Sequence, residues 1–254
     1  MDTNSNQARR VVIGITAHVD AGKTTLAEAM LYRTGQLRKL GRVDHGSAAM
    51  DSHLLERERG ITIFSSQAEL PIGDLEVTLL DTPGHVDFSA EMERTLSVLD
   101  YAILVISGAD GVQAHTRTLW RLLELYRIPT FLFVTKMDFG RCGRGQMMEH
   151  LHHELGEGCV DFTPADRERR MEQLATCRED ALEAYLDGGE VPDALVRQLV
   201  GRRLVFPCWF GSGLKLEGID EFLEGLARYV EPPAYPAAFS ARVFKISHDP
   251  QGKR

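Results

Sequence analysis

Cysteine is scarce in this chain: four among 254 residues, Cys142, Cys159, Cys177 and Cys208, with no C-x-x-C pair. That spacing excludes a zinc ribbon and offers no disulfide framework, so buried reduced thiols in a cytoplasmic protein are expected. Long apolar runs are missing too. The run opening at Val11 is interrupted by Gly14 and Thr16 and soon meets His18 and Asp20, well short of the roughly 20 apolar residues of a membrane span. A basic excess is also lacking: 29 Lys plus Arg face 37 Asp plus Glu, a net charge of -8. This excludes a chain-wide basic face for nucleic acid, so no sequence-specific DNA partner is expected and any RNA must be met locally. Monomer is the default expectation.

What is present is ordinary globular composition, 43% hydrophobic and 26% charged, arranged in alternating short and long patterns. β-branched or aliphatic runs at Val11 to Ala17, Ile61 to Gln67, Glu76 to Leu80, Ala102 to Ser107, Thr130 to Thr135 and Leu204 to Phe210 read as strands. Helical spacing fills Lys23 to Arg33, Phe88 to Leu99, Val112 to Tyr126 and Ile219 to Tyr229. Such βα alternation predicts a mostly parallel central sheet with helices on both faces. The charged stretch from about Gly140 to Arg203 reads as a helical insertion between the last two strands, with Asp166 to Tyr185 and Pro192 to Val200 as its helices. Gly35 to Gly60, polar and weakly periodic, reads as a long functional loop. The prolines after Glu231 mark a linker, so residues 1–231 form one domain, and 232–254 hold the linker and the start of a second, β-rich one.

Residues 17–24, Ala-His-Val-Asp-Ala-Gly-Lys-Thr, follow a strand and open a helix. This is a phosphate loop with Ala in place of its first glycine. Strand, loop and helix in that order aim backbone N–H groups of Asp20, Ala21, Gly22, Lys23, Thr24 and Thr25 at phosphates. Lys23 adds a point charge, and Thr24 a ligand for Mg2+. Asp81-Thr82-Pro83-Gly84-His85 and Thr135-Lys136-Met137-Asp138 each follow a strand, on the side where open α/β sheets bind ligands. Asp81 would hold Mg2+ through a water, and the Gly84 N–H would mark the γ-phosphate. A carboxylate at Asp138 can accept from guanine N1–H and N2–H2, whereas adenine would leave it unpaired, so GTP is preferred over ATP. Three histidines, His150, His152 and His153, lie close together without a fixed partner and read as a solvated helical face rather than a metal site.

The motifs AHVDAGKTT, RGITI, DTPGHVDF and TKMD resemble the translational GTPases, specifically their elongation factor G-like branch. LLERERGITI (54–63), LSVLD (96–100) and DGVQA (110–114) with Thr116-Arg117 resemble the tetracycline-resistance ribosomal protection proteins. The likeness runs over Val11 to Asp138, more loosely over Phe206 to Tyr229, and reaches Phe239 to Ile246 as the first strand of a second, β-barrel domain. It implies a P-loop NTPase G domain that binds GTP and GDP with Mg2+ and partners the ribosome.

Carried onto matching positions, the resemblance implies that Thr62 senses Mg2+ and the γ-phosphate and orders the loop Gly35 to Gly60 in the GTP state. It implies that His85 orients the attacking water, that Val19 and Ile61 gate its approach, and that Asp20 helps hold a monovalent cation. Gly211-Ser212-Gly213-Leu214 would supply a backbone N–H to guanine O6. Two departures stand out: Thr135 replaces the family's Asn, and Gly213 its Ala. With no arginine in the phosphate loop, intrinsic hydrolysis is expected to be slow and accelerated by ribosomal RNA. A housekeeping factor of the elongation factor G or peptide release factor 3 kind stays open as an alternative, as does a GTP-dependent switch with little hydrolysis that recruits a partner.

Overall fold

The computed structural model describes residues 9–38, 66–82, 89–139, 142–163 and 167–234, with Ala238, Ala241 and Val243. Seven strands form one sheet: β1 (Arg9–Ala17), β2 (Ser66–Ile72), β3 (Leu75–Asp81), β4 (Tyr101–Ser107), β5 (Thr130–Thr135), β6 (Cys159–Asp161) and β7 (Phe206–Phe210). Their order is β2-β3-β1-β4-β5-β7-β6. Every pairing is parallel except β2 with β3, a hairpin whose turn uses Gly73 at φ 62.

The helices are α1 (Lys23–Arg33), α2 (Ser89–Leu96), α3 (Ala114–Leu125), α4 (Arg144–Leu155), α5 (Arg167–Thr176), α6 (Glu179–Gly188), α7 (Asp193–Gly201) and α8 (Ile219–Tyr229). Side chains alternate across the central strands and divide the core in two. Ile103, Val105, Phe131 and Phe133 face the layer of α1, α5, α7 and α8. Ala102, Leu104, Ile106, Leu132 and Val134 face α2, α3 and α4. Burial on both faces is why β4 and β5 read as continuous apolar runs rather than alternating ones.

Two sequence expectations need correction. Of the strand expected at Ile61 to Gln67, positions 61–65 lie outside the described residues, and the described strand does not stop at Gln67 but runs from Ser66 to Ile72. Pairing decides this: Leu70 and Ile72 are buried opposite Val77 and Leu75 of β3, and one-sided burial specifies register. The stretch Asp166 to Tyr185 holds two helices rather than one, parted at Cys177 and Arg178. The insertion is also more than helical. It carries β6, a three-residue edge strand too short to show a period, and its Met171, Leu174, Val196, Leu199 and Val200 join the main core.

Candidate functional site

β1 and β4 are neighbours whose following connections leave in opposite directions, one toward β3 and the other toward β5. A crevice opens at the carboxyl ends of such a pair. Residues 18–22 bend there. Ala21 N–H donates to His18 O at 3.1 Å, and the turn needs left-handed backbone at Asp20 (φ 61) and Gly22 (φ 93). Strain of this kind persists only where the surroundings over-determine it. Gly22 then serves as N-cap of α1, so the first turn of that helix, Lys23 through Thr24 and Thr25, starts at the crevice with the positive end of the helix dipole.

Asp81 ends β3 fully buried, and its carboxylate accepts from the Lys23 ammonium, itself 8% exposed. The side chain of Thr82 and its N–H both donate to Ile15 O, at 2.9 and 3.1 Å, locking the end of β3 to β1. A buried lysine and a buried carboxylate thus meet at the helix start that also carries Thr24 in its first turn. Oxygen donors of this kind suit Mg2+, which takes one or two protein oxygens and completes its shell with water and phosphate. Asp20 is exposed and Val19 half-buried at the mouth. Ile61, Thr62, Gly84 and His85 lie outside the described residues.

The segment Thr135 to Asp138, expected from the sequence to read the base, is tied directly to the loop at residues 18–22. Thr135, 3% exposed, donates from Oγ1 to Ala21 O at 2.5 Å, with Ile106 O at 3.2 Å. Lys136, left-handed at φ 57, donates from Nζ to Asp20 O at 2.5 Å. The Thr135 hydroxyl therefore faces the phosphate loop, not the open side.

Asp138 sits in a short 3-10 turn, Met137–Phe139. Burial would raise its pKa, but hydrogen bonds from Ser212 and Lys215 outweigh that and hold the carboxyl below its usual range. It is therefore an ionised acceptor at neutral pH. Lys215 Nζ lies 3.4 Å from Asp138. That residue was not among the sequence candidates; its only signal is a lysine three positions after Ser212. The loop itself is stapled by Ser212 N–H to Glu217 O at 3.1 Å and Glu217 N–H to Ser212 O at 3.0 Å. Leu214 stands 57% exposed.

The second departure from the family pattern has a spatial reason. A Cβ on Gly213 would lie 3.3 Å from Leu26 N and from Thr25 C, so this loop packs against the backbone of α1. Gly211 is tighter still, its Cβ position 2.0 Å from Glu217 O.

The three histidines are not a uniform solvated face. His150 Nε2 accepts from Val112 N–H at 3.1 Å, His152 Nε2 donates to Cys159 O at 2.7 Å, and only His153 is largely exposed. Among the described residues no group of three His, Cys, Asp or Glu side chains could hold a metal ion, and no helix is long and apolar enough to cross a membrane. Cys159 and Cys208 are buried, the latter with its thiol pKa pushed up by burial, while Cys142 and Cys177 are half-buried.

A phosphate loop at a switch point, a lysine on a buried strand-end acid and a carboxylate held ready for a base define a P-loop nucleotide-binding domain of the G-domain kind. The model of the elongation factor Tu GTP-binding domain matches residues 8–232, and the chain belongs to that family. Its sequence is 39% identical over 270 aligned positions to the oxytetracycline resistance protein of Streptomyces rimosus, covering 95% of this chain and 40% of the relative. It is 36% identical to the tetracycline resistance protein TetM of Ureaplasma urealyticum, with the same coverages. The crystal structure of a protein from Thermus thermophilus superposes with a TM-score of 0.79 at 27% identity, over 89% of this chain and 41% of that one. The chain thus spans about 40% of the length of the relatives it matches.

Proposed function

We propose that this chain binds and hydrolyses GTP as the G domain of a ribosome-associated factor of the tetracycline-resistance ribosomal protection type. One observation carries the reading: the strand-end carboxylate Asp81, the phosphate-loop Lys23 and the base-reading segment are joined by direct contacts at one crevice. In it, Lys23 and the N–H groups of residues 20–25 hold the phosphates. Asp138 accepts from guanine N1–H and N2–H2, and an N–H in Ser212 to Leu214 meets O6.

Mg2+, when bound, neutralises the charge spread over the β- and γ-phosphate oxygens; Thr24, Asp81 and Thr62 would hold it, and a monovalent cation would sit near Asp20. His85 orients the attacking water behind the gate of Val19 and Ile61. Thr62 reports the γ-phosphate to the segment before it. Ribosomes would accelerate the reaction, since no phosphate-loop arginine supplies the missing charge. Residues 1–231 make up this domain, 232–254 lead into a second one, and the protein works as a cytoplasmic monomer.

Titration of the chain with fluorescent GTP and ATP tests the base reading: GTP should bind at least a hundredfold more tightly, and equal binding would overturn it. The ribosomal step is tested with a protein carrying this chain together with domains matching the rest of its relatives' length. Ribosomes bearing labelled tetracycline should lose drug as phosphate is released. Phosphate release with the drug retained would move the protein to another step of translation.

A further inference from the structure

We infer that guanine N7 goes unread in this protein, because the two donor side chains that precede Asp138 in its segment, Thr135 and Lys136, are spent on the loop at residues 20–21. The inference rests on the guanine-binding reading above and concerns how that site discriminates.

Guanine offers two kinds of edge. Its N1–H and N2–H2 donors suit Asp138, while N7 and O6 are acceptors and need donors from the protein. The loop at Ser212 has backbone N–H groups for O6. For N7, the candidates in the base-reading segment are the Thr135 hydroxyl and the Lys136 ammonium.

A hydroxyl has one proton to donate. Thr135 places that proton between two carbonyls, Ala21 O at 2.5 Å and Ile106 O at 3.2 Å, in a position 3% exposed. Acceptors on that side compete for the single proton, and turning it toward the base would leave the buried Ala21 carbonyl without its partner. Lys136 directs its ammonium at Asp20 O, 2.5 Å away, from a left-handed backbone. Both side chains thus act as positioning residues that hold the strained turn at Asp20 and Gly22. Recognition of the base falls to Asp138 and the Ser212 loop. An amide at 135 would differ in kind: two protons let one group brace the loop and still donate to a base.

The experiment compares GDP with 7-deaza-GDP, in which N7 is replaced by C–H, by calorimetric titration of the whole chain in the presence of Mg2+. The two should bind within about twofold of each other, as expected when no hydrogen bond is lost. Thr135→Val should weaken both equally and leave their ratio near one, and Thr135→Ser should restore the affinity. Thr135→Asn should create a preference for GDP of fivefold or more. A tenfold or greater penalty for 7-deaza-GDP in the unaltered chain would overturn the inference without any variant having to fold. So would a change in the ratio on Thr135→Val. Failure of both nucleotides to bind would instead overturn the guanine reading, and this inference with it.

Discussion

The two ends of the sheet use the same residue types to opposite purposes. At the carboxyl ends, left-handed backbone occurs at Asp20, Gly22 and Lys136, and a lysine lies buried against Asp81. At the amino ends, left-handed backbone occurs at Arg127 and Arg203, each just past the end of a helix. There the geometry serves capping: Ile128 N–H donates to Leu123 O and Leu204 N–H to Leu199 O, both at 2.9 Å, closing α3 and α7. The Arg203 guanidinium lies 5.1 Å from the Trp120 ring and 5.0 Å from Phe206, donates to Ile128 O, and reaches Thr130 Oγ1 at 2.9 Å. Burial lowers its pKa without discharging it. One end closes its polar groups within the chain. The other gathers N–H groups, a cation and carboxylates toward a crevice where a ligand can meet them.

The largest effect expected from breaking this contrast is Lys23→Ala. It removes the phosphate-binding charge and leaves a buried carboxylate, so GTP affinity should fall a hundredfold or more. Urea denaturation should show a loss of about 3 kcal/mol, the scale for breaking one partner of a buried pair. Unchanged nucleotide binding would dissolve the distinction between the two ends.

Arg203→Ala should destabilise by about 2 to 3 kcal/mol through lost charge-assisted hydrogen bonds and ring stacking, yet leave GTP affinity in the folded protein unaltered. A parallel fall in affinity would show the ends to be coupled. Gly213→Ala is smaller. Its Cβ must press on the α1 backbone at 3.3 Å, so guanine nucleotide affinity should drop a few-fold while the denaturation midpoint moves little.

The smallest effect lies away from both ends. Arg117 on α3 holds Glu154 on α4, and this hydrogen bond lowers the Glu154 pKa from 4.5 to about 2. The folded pKa is the depressed one. The stabilisation is therefore present above pH 4.5 and lost as pH falls toward 2. Glu154→Gln should flatten the stability curve in that window and carry the same loss to pH 7, a modest one since the pair is partly exposed. An unflattened curve would assign the acid sensitivity to other carboxylates.

Much of this was legible in the residues themselves. The phosphate loop depends on a glycine, a lysine and a threonine adjacent in the chain, and strand and helix periods on each side announce its context. The strand ends carrying Asp81 and Asp138 follow from apolar runs that stop at a motif. Other features were hidden because their cause is distant. The edge strand Cys159–Asp161 is three residues long and exists through pairing with β7. The reach of β2 to Ile72 comes from buried partners across a hairpin, a cause that the local sequence does not carry. Lys215 carries no motif that separates it from a loop lysine.

The family membership and the chemistry that the motifs offer were legible in sequence alone, because each rests on side chains placed by short-range order along the chain. Tertiary structure decided what those residues are free to do. Thr135 and Ala21 are 114 positions apart, and only the parallel packing of β1, β4 and β5 brings the hydroxyl onto that carbonyl. The space at Gly213 is tight only because its loop lies on α1. A donor's availability depends on which acceptor reaches it first, and for a buried group that acceptor is chosen by the fold.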